Sequence, residues 1–402
     1  MRVEIEKGAA SGTVNAPPSK SMAHRLLICA AMCDGVSMIR GISNCEDVAA
    51  TLDCLSALGI NTERIGDDVA VTGKNFKEVK PTAPLQCRES GSTLRFMIPA
   101  AMLSGHTTVF YGAKRLMQRP MDVYEKLFAE LGLTYISDGE SIVVRGPLSG
   151  GKYSVAGNIS SQFISGLIFA LPLANGDSTI NITTPIESRS YIDLTVSAVR
   201  KFGITVEWAD EYTLKIPGGQ KYTPAEITVE GDYSGAAFPD ALNLFGGDVK
   251  VLGLDPESIQ GDSVYKRYYN MLDGGVPSIH IGDCPDLGPV LFAIAAAKFG
   301  GVFSGTKRLK IKESDRAAAM AEELKKFGAS VSVYDDSVVI YPAEFHAPTE
   351  ILSGHNDHRI VMALAILLTL TGGEIDGAEA IKKSYPDFFE NLKSLGVGVT
   401  EK

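Results

Sequence analysis

The sequence repeats one pattern six times, and this repetition limits the possible folds more than any other feature. In each copy a glycine opens a β-like run, and the six glycines are Gly35, Gly105, Gly176, Gly247, Gly301 and Gly373. They are separated by 70, 71, 71, 54 and 72 residues. Apolar helical stretches precede them and begin near Ser19, Ser90, Ser160, Ser234, Asp286 and Asp357. Because these stretches have no wide polar face beyond their first turns, the pattern predicts six helices buried in a core.

A second, amphipathic helix follows each glycine after a short strand. Its start is marked by an acid that fits a cap or first-turn position, at Asp47, Asp122, Asp193, Asp262, Asp315 and Asp387. Its end is marked by a glycine, at Gly59, Gly132, Gly203, Gly274, Gly328 and Gly396. Alternating strands separate the copies. Each copy is therefore a βαβαββ-like unit of an α/β (α+β) fold, and its two helices of different character exclude a TIM barrel.

Two irregularities in the repeat indicate how the chain divides. Asp286 follows Gly274 by only 12 positions, so the strand pair is abbreviated there. Residues 3–15 resemble the strand pair that precedes the apolar helix in other copies, and the C-terminus ends where such a pair would start. We therefore predict that the first strands complete the sheet of the last copy. Three copies would form a domain of residues 19–229 and three a domain of residues 1–18 plus 230–402, with crossings near 17–18 and 229–231.

Composition narrows the class of protein and of partner. The net charge of −10 argues against nucleic acid or an anionic membrane as the main partner. No apolar run is long enough to span a membrane, and the N-terminus lacks the apolar core of a signal peptide. The six scattered cysteines fit buried free thiols, which together with these features indicates a cytoplasmic protein. No cluster has metal-ligand spacing, and no nucleotide-phosphate motif occurs.

The starts of the helices carry an unusual amount of polar chemistry. One serine, asparagine or aspartate per start is explained by capping. Lys20, Arg25 and Arg359 are not, since a cation near a helix N-terminus is unfavourable without an anion. The second helices add Arg119, Ser188 with Arg189, Lys312 with Arg316, and Lys383. Any single pair is explained equally well by surface ion pairing, but gathered in a cleft between two domains they would bind more than one anionic group.

The residues at these starts resemble the EPSP synthases, a family of enolpyruvyl transferases. The resemblance covers residues 1 to 402 and rests on landmarks in order: Pro18-Ser19-Lys20-Ser21 with Arg25, Ser90-Gly91-Ser92-Thr93 with Arg95, Gln118-Arg119-Pro120, Ser160-Ser161-Gln162-Phe163, Tyr191-Ile192-Asp193, Gly231-Asp232-Tyr233-Ser234, Lys312-Glu313-Ser314-Asp315-Arg316, Asn356-Asp357-His358-Arg359 and Lys383-Ser384-Tyr385-Pro386-Asp387. It implies a two-domain inside-out barrel with three repeats per domain, closing over its substrates. It also implies transfer of the enolpyruvyl group of phosphoenolpyruvate to the 5-hydroxyl of shikimate 3-phosphate, with release of phosphate. A monomer without metal or cofactor is expected.

The resemblance also assigns residues to each substrate. Shikimate 3-phosphate would be held by Lys20, Ser21, Arg25, Ser160, Ser161, Gln162, Ser188, Asp286 and Lys312. Phosphoenolpyruvate would be held by Lys20, Gly91, Arg119, Gln162, Arg316, Arg359 and Lys383. The implied catalytic residues are Asp286 as the base for the hydroxyl, Glu313 as the group that delivers and removes the methylene proton, and Lys20 as an aid to phosphate departure. Lysine and arginine would supply the neutralisation that other phosphoenolpyruvate enzymes obtain from Mg²⁺.

Two alternatives remain open at this point. The sister enzyme that transfers enolpyruvate to UDP-N-acetylglucosamine shares the fold, but its active loop carries a cysteine before Arg-Pro, whereas residues 111–120 contain none. The other alternative is a non-catalytic anion-binding protein on the same scaffold. Glu89, Ser92 and Arg308 depart from the commonest residues of the family, whereas the retained Gly91 would leave room for a competitor the size of phosphoenolpyruvate, such as glyphosate.

Overall fold

The computed structural model describes all residues from Met1 to Lys402. The chain forms two compact units, which we call the N-terminal unit (Lys20–Val229) and the C-terminal unit (Met1–Ser19 with Glu230–Lys402). The first boundary lies one residue later than the expected one. Ser19 belongs to the C-terminal unit because its backbone N–H donates to the carbonyl of Glu230 at 2.8 Å.

The helices and strands follow the repeat. The α-helices are α1 (Lys20–Ala31), α2 (Glu46–Ala57), α3 (Gly91–Ala101), α4 (Lys114–Met117), α5 (Asp122–Glu130), α6 (Ser161–Ala170), α7 (Arg189–Lys201), α8 (Tyr233–Ala241), α9 (Tyr265–Asp273), α10 (Gly288–Ala297), α11 (Arg316–Lys325), α12 (His358–Thr371) and α13 (Phe388–Ser394). Short 3₁₀ turns include Pro285–Leu287, Lys307–Ile311 and Ala378–Lys383.

The strands are short, as expected for small sheets that each cover one side of a helix. They are β1 (Arg2–Ile5), β2 (Ser11–Asn15), β3 (Val36–Arg40), β4 (Asn61–Ile65), β5 (Asp68–Thr72), β6 (Leu85–Gln86), β7 (Thr107–Tyr111), β8 (Thr134–Ser137), β9 (Ser141–Arg145), β10 (Lys152–Val155), β11 (Ser178–Ile182), β12 (Glu207–Trp208), β13 (Thr213–Ile216), β14 (Glu226–Thr228), β15 (Asp248–Leu252), β16 (Ser278–His280), β17 (Gly301–Ser304), β18 (Ser330–Val333), β19 (Ser337–Tyr341), β20 (Leu352–Ser353), β21 (Gly373–Asp376) and β22 (Val399–Glu401).

The six apolar stretches form the helices α1, α3, α6, α8, α10 and α12, which we call the inner helices. Nearly every residue of each is buried, which confirms the predicted core helices. Each begins close to its predicted start, although the local geometry of two starts differs from a cap at the predicted residue. Asp232, rather than Ser234, caps α8 by accepting from the Gly235 N–H at 2.9 Å. Asp286 lies in a 3₁₀ turn just before α10.

The second helices are α2, α5, α7, α9, α11 and α13, and they bury only part of their surface. The predicted start of α7 at Asp193 is wrong by one turn, because the left-handed residue Ser188 begins the helix at Arg189. Five of the six predicted closing glycines have left-handed backbones, with φ between 67° and 90°. Gly274 instead keeps a helical φ of −88°, and the left-handed turn is absent from that helix end.

Six sheets confirm the six repeats. The N-terminal unit has three four-stranded sheets, with strand orders β14-β3-β5-β4, β6-β7-β9-β8 and β10-β11-β13-β12. In each, the first two strands are parallel and the rest are antiparallel. An inner helix connects the parallel pair in the second and third sheets, namely α3 between β6 and β7 and α6 between β10 and β11. Buried and exposed residues alternate along most strands, so each sheet covers the inner helices with one face. Helices inside and sheets outside are the inside-out arrangement.

The C-terminal unit repeats this plan with the two predicted irregularities. β1 lies between β21 and β22 in the order β20-β21-β1-β22, with Val3 opposite Ile375 and Ile5 opposite Val399. The first strand of the chain therefore completes the last sheet, as predicted. A second sheet has the order β16-β17-β19-β18. The third contains only β15 and β2, because no hairpin follows α9.

The two chain crossings exchange strands between repeats. β2 precedes α1 in the chain but pairs in parallel with β15, with Thr13 opposite Lys250. β14 precedes α8 but pairs with β3, with Ile227 opposite Ile39.

Each unit has a separate apolar core, and all six cysteines are free and buried, as predicted. None of the helices combines the length and the apolar character that crossing a lipid bilayer requires.

We expect Ile5→Ala to destabilise the C-terminal unit selectively. Ile5 is fully buried in the middle of the last sheet, so loss of its side chain should lower the free energy of unfolding by about 2–5 kcal/mol. Hydrogen exchange should become faster in β21 and β22 and stay unchanged in β3 and β5. Lys7→Ala, at an exposed neighbour, is the matched control. Equal acceleration in both units would contradict this role of β1.

Candidate functional site

The C-terminal unit gathers charged side chains at the starts of α10, α11 and α12. Asp286 lies in the turn that leads into α10, and Lys312 and Glu313 directly precede α11. Arg316 is the first residue of α11, whose N-cap Asp315 accepts from the Ala318 N–H at 3.1 Å. Asp357 caps α12, and Arg359 lies in its first turn. Capping thus places every one of these side chains at a helix start, where the sequence predicted anion chemistry.

Arg316 is the centre of this cluster, with only 1% of its side chain exposed. Its NH1 donates to Asp286 Oδ1 at 2.8 Å, its NH2 to Glu313 Oε2 at 2.7 Å and its Nε to Asp357 Oδ2 at 2.8 Å. Burial alone would lower the pKa of Arg316, but Asp357, Glu313 and Asp286 raise it above its ordinary value. The guanidinium is therefore permanently charged and fixed in orientation by three carboxylates.

The carboxylate of Asp286 forms ion pairs with three cationic side chains. Besides Arg316, Lys312 Nζ lies 3.2 Å from Oδ1 and Arg359 NH2 lies 3.1 Å from Oδ2. Burial would raise the pKa of Asp286, but Arg359, Lys312 and Arg316 outweigh it and hold that pKa well below 3.8. Asp286 is therefore ionised and a weak base for as long as these cations surround it.

The charge of Lys312 changes near neutral pH. Burial lowers its pKa to about 8; Asp286 opposes this shift, and the charges of Arg316 and Arg308 add to it.

Arg359 also donates to Ser234 Oγ at 2.9 Å, which ties α12 to the start of α8. Lys383 is buried near the end of the 3₁₀ turn Ala378–Lys383 and donates to the Asn356 carbonyl at 2.6 Å.

The N-terminal unit has its own polar group at the starts of α1 and α2. Lys20, the first residue of α1, lies 2.8 Å from Asp47 Oδ2 on α2, and both side chains are largely buried. The sequence predicted that Lys20 requires an anion, and Asp47 supplies one from within the chain. A bound anionic ligand would have to compete with this carboxylate.

A second polar group forms where α3 and α6 begin. Ser90 and Ser160 cap these helices, accepting from Thr93 N and Gln162 N respectively. Gln162 Oε1 accepts a hydrogen bond from Arg95 NH1 at 2.8 Å, and Gln162 Nε2 donates one to Ser92 Oγ at 2.9 Å.

Gly91 leaves room for an arginine beside this group. A Cβ at Gly91 would lie 2.7 Å from Arg119 NH1 and 3.7 Å from Gln162 Oε1. A larger residue at this position would displace the end of the Arg119 side chain, and three predicted ligands, Gly91, Arg119 and Gln162, are neighbours.

Arg25 has a larger structural role than the sequence suggested. Its Nε donates to Thr195 Oγ1, its NH2 to the Tyr191 carbonyl and its NH1 to the Ser21 carbonyl, at 2.6–2.8 Å. Two of its five N–H groups thus join α1 to α7, and a third bonds within α1. Burial lowers its pKa to about 10, which still leaves it charged at neutral pH. Ser161 and Ser188 are buried at the starts of α6 and α7.

Some participants were not predicted from the sequence. Asp47, Asp357 and Ser234 were read as caps or helix starts, and only the fold shows that they bind Lys20, Arg316 and Arg359. The sequence carried no signal for these pairs, because the partners are 27, 41 and 125 positions apart.

The fold also forms a group that sequence spacing did not indicate. Ligand atoms of Glu322, Glu323 and His355 lie within 4.8 Å of one another, which is compatible with a metal ion. However, Lys326 Nζ lies 3.0 and 2.9 Å from the two carboxylate oxygens of Glu323. An ammonium group thus already neutralises this buried carboxylate.

Six βαβαββ-like repeats with cationic helix starts define a class of enolpyruvyl-transferase-like α/β proteins, and comparison with known proteins identifies the family. The sequence matches the profile of EPSP synthase (3-phosphoshikimate 1-carboxyvinyltransferase) over residues 5–274 and 269–392. The 3-phosphoshikimate 1-carboxyvinyltransferase of Clostridium kluyveri is 38% identical over 99% of this chain and 98% of its own. That of Clostridium perfringens is 39% identical over 98% of both chains. The chain belongs to the EPSP synthase family.

Solved structures agree on the fold. EPSP synthase from Acinetobacter baumannii superposes with a TM-score of 0.80 at 23% identity, over 100% of both chains. The enolpyruvyl transferase NikO from Streptomyces tendae gives a TM-score of 0.78 at 15% identity, over 99% of this chain and 98% of its own. Similarity at this level of identity establishes the architecture alone.

We call the charged side chains at the starts of α10, α11 and α12 the C-terminal cluster. We expect anion binding to this cluster to weaken as pH rises through about 8, the pKa of Lys312. Above that pH Lys312 is neutral, and loss of one charge-assisted hydrogen bond costs roughly tenfold in affinity. Sulfate titrated calorimetrically at pH 7 and 9.5 is a suitable probe, because its own charge is constant in this range. Lys312→Arg should remove the pH step, and Lys250→Met, at an exposed lysine, should keep it. A wild-type affinity that is equal at both pH values would contradict the assignment.

Proposed function

We propose that the protein transfers the enolpyruvyl group of phosphoenolpyruvate to the 5-hydroxyl of shikimate 3-phosphate and releases inorganic phosphate. Such a reaction is a step of the shikimate pathway toward chorismate and the aromatic amino acids. The observation that carries the proposal is the cluster of Asp286, Lys312, Glu313, Arg316 and Arg359, because it combines cations for a phosphate with carboxylates for proton transfer. Full-length similarity to curated 3-phosphoshikimate 1-carboxyvinyltransferases supports it.

We assign the two substrates to residues of both units. Shikimate 3-phosphate is bound by Lys20, Ser21, Arg25, Ser160, Ser161, Gln162, Ser188, Asp286 and Lys312. Phosphoenolpyruvate is bound by Lys20, Gly91, Arg119, Gln162, Arg316, Arg359 and Lys383. The second group supplies five cations, one glycine and the amide of Gln162, which suits a small ligand carrying a phosphate and a carboxylate.

The proposed reaction is an addition followed by an elimination. When the incoming anion takes over Arg316, Glu313 accepts a proton and donates it to the methylene carbon, while the 5-hydroxyl oxygen forms a bond to C2 of phosphoenolpyruvate and loses its proton to Asp286. In the resulting tetrahedral intermediate, the C–O bond to phosphate breaks and the leaving phosphate takes up the proton that Asp286 accepted, with Lys20 stabilising the leaving oxygen. A methyl proton returns to Glu313, which yields the enol ether and inorganic phosphate.

The charge of the substrates explains how Asp286 becomes a base. In the empty cluster Arg359, Lys312 and Arg316 hold its pKa well below 3.8. An incoming phosphate shares those cations, so their effect on Asp286 decreases and its pKa rises. Binding of an anion thus prepares the carboxylate for the proton of the hydroxyl group.

We further propose that the protein acts as a monomer in the cytoplasm.

The sister enzyme that uses UDP-N-acetylglucosamine is the second candidate. Its active-loop cysteine has no counterpart in the segment around α4, where residues 111–120 contain no cysteine. All six cysteines lie elsewhere and are buried.

Phosphate release from phosphoenolpyruvate discriminates these functions. We expect release with shikimate 3-phosphate as acceptor and none with UDP-N-acetylglucosamine. Release only with the latter would identify the sister activity. No release with either acceptor, in a protein that still binds sulfate, would indicate a non-catalytic anion-binding protein.

We expect Glu313→Gln to reduce turnover by at least about 100-fold, the usual contribution of a proton-transfer group. The amide keeps the size of the side chain but does not exchange a proton with the methylene carbon. Deuterium incorporation into that carbon from D₂O should fall in parallel with turnover. Glu322→Gln, at an exposed glutamate of α11, is the matched control. Near-normal turnover and exchange in Glu313→Gln would exclude the proposed role.

A further inference from the structure

The loop 353–357, between β20 and α12, has an unfavourable backbone conformation. His355 and Asn356 have φ values of 48° and 51°, in the left-handed region that non-glycine residues seldom occupy. They are two of the four non-glycine residues with positive φ in the protein, and they are adjacent. Contacts with the surrounding structure must therefore hold the loop in place.

Those contacts come from α11. The carboxylate of Glu323, which is fully buried, accepts from the Ser353 N–H at 2.9 Å and pairs with His355 Nε2 at 2.9 Å. Arg316 lies two helical turns earlier on the same helix and binds Asp357 at the far end of the loop. One helix thus holds both ends of the loop, through a carboxylate at one end and a guanidinium at the other.

The loop in turn positions two of the proposed ligands of phosphoenolpyruvate. The carbonyl of Asn356 accepts from Lys383 Nζ at 2.6 Å. Asp357 Oδ1 accepts from the backbone N–H of Arg359 at 3.0 Å. The direction of the Asn356 carbonyl depends on the left-handed conformation of the loop, so the location of the Lys383 ammonium depends on it as well.

We propose that Glu323 and His355 are positioning residues for Lys383. Neither contacts Lys383. They hold the loop whose Asn356 carbonyl orients the ammonium group, and this role rests on the proposed function only for the identity of the substrate that Lys383 binds.

The charges around His355 support this arrangement. Glu322, Glu323 and Lys326 face it from α11, and it lines a shallow cavity of about 350 Å³ together with Arg2 and Asp376. The hydrogen bond to Glu323 raises the pKa of His355 above 6.5, while burial and Lys326 oppose this shift. The imidazolium form, which binds the carboxylate most strongly, is therefore favoured at and below neutral pH and is lost as pH rises through the raised pKa.

Chemical labelling of Lys383 tests the proposal without reference to activity. An amine-reactive acetylating reagent, followed by peptide mass spectrometry, measures how often the ammonium leaves its buried site. We expect His355→Ala to accelerate labelling of Lys383 about tenfold, with His355→Gln, which still donates to Glu323, near the wild-type rate. Labelling of the exposed Lys250 should be the same in all variants. An unchanged rate at Lys383 in His355→Ala would overturn the proposal, even if no substrate were turned over.

Kinetics give the second readout in a protein that catalyses the proposed reaction. His355→Ala should raise KM for phosphoenolpyruvate about tenfold and leave KM for shikimate 3-phosphate within about twofold, and His355→Gln should restore the former. The ratio of wild-type KM to His355→Gln KM for phosphoenolpyruvate should rise with pH above 6.5, because only the wild type loses the imidazolium charge. Equal increases in KM for both substrates would indicate a general structural defect and contradict the positioning role.

Discussion

The buried guanidinium of Arg316 is the charge on which the C-terminal cluster depends. Charges are costly to bury, and removing one partner of a buried pair typically costs about 3–5 kcal/mol. Arg316 is tolerated because three carboxylates surround it, and these in turn bind further cations. The result is a balanced set of three cations and three carboxylates: Lys312, Arg316, Arg359, Asp286, Glu313 and Asp357. A dianion that enters this set meets cations that are already neutralised, so its binding has to redistribute contacts and protons.

The same principle operates at the start of α1. A cation at a helix N-terminus opposes the helix dipole, and the protein compensates Lys20 with the carboxylate of Asp47. Both units thus keep their cations beside internal carboxylates that a ligand anion can replace. This arrangement stabilises the protein while leaving positive charge at the helix starts, where backbone N–H groups also favour an anion.

Sequence analysis succeeded where the signal is local and failed where it depends on contacts between distant segments. Apolar periodicity and capping residues lie within a few positions of each other, so the inner helices, the repeats and the completion of the last sheet by β1 were predictable. The start of α7 was misplaced because the left-handed Ser188 is not visible in the pattern. The partner of Lys20 is found only when the two helices of one repeat pack together, and the partner of Arg359 and the contact between Glu323 and His355 arise only when separate repeats do.

The location of β1 has a consequence for synthesis on the ribosome. The N-terminal unit is contiguous, and its last strand, β14, emerges long before the chain is finished. β1 instead waits for nearly the whole chain, because its two neighbours are β21 and β22 and β22 is made last. At roughly 5–20 residues per second this delay is tens of seconds. During that time β1 exposes unpaired edges, and its shortness and alternating charged residues limit association with other nascent chains.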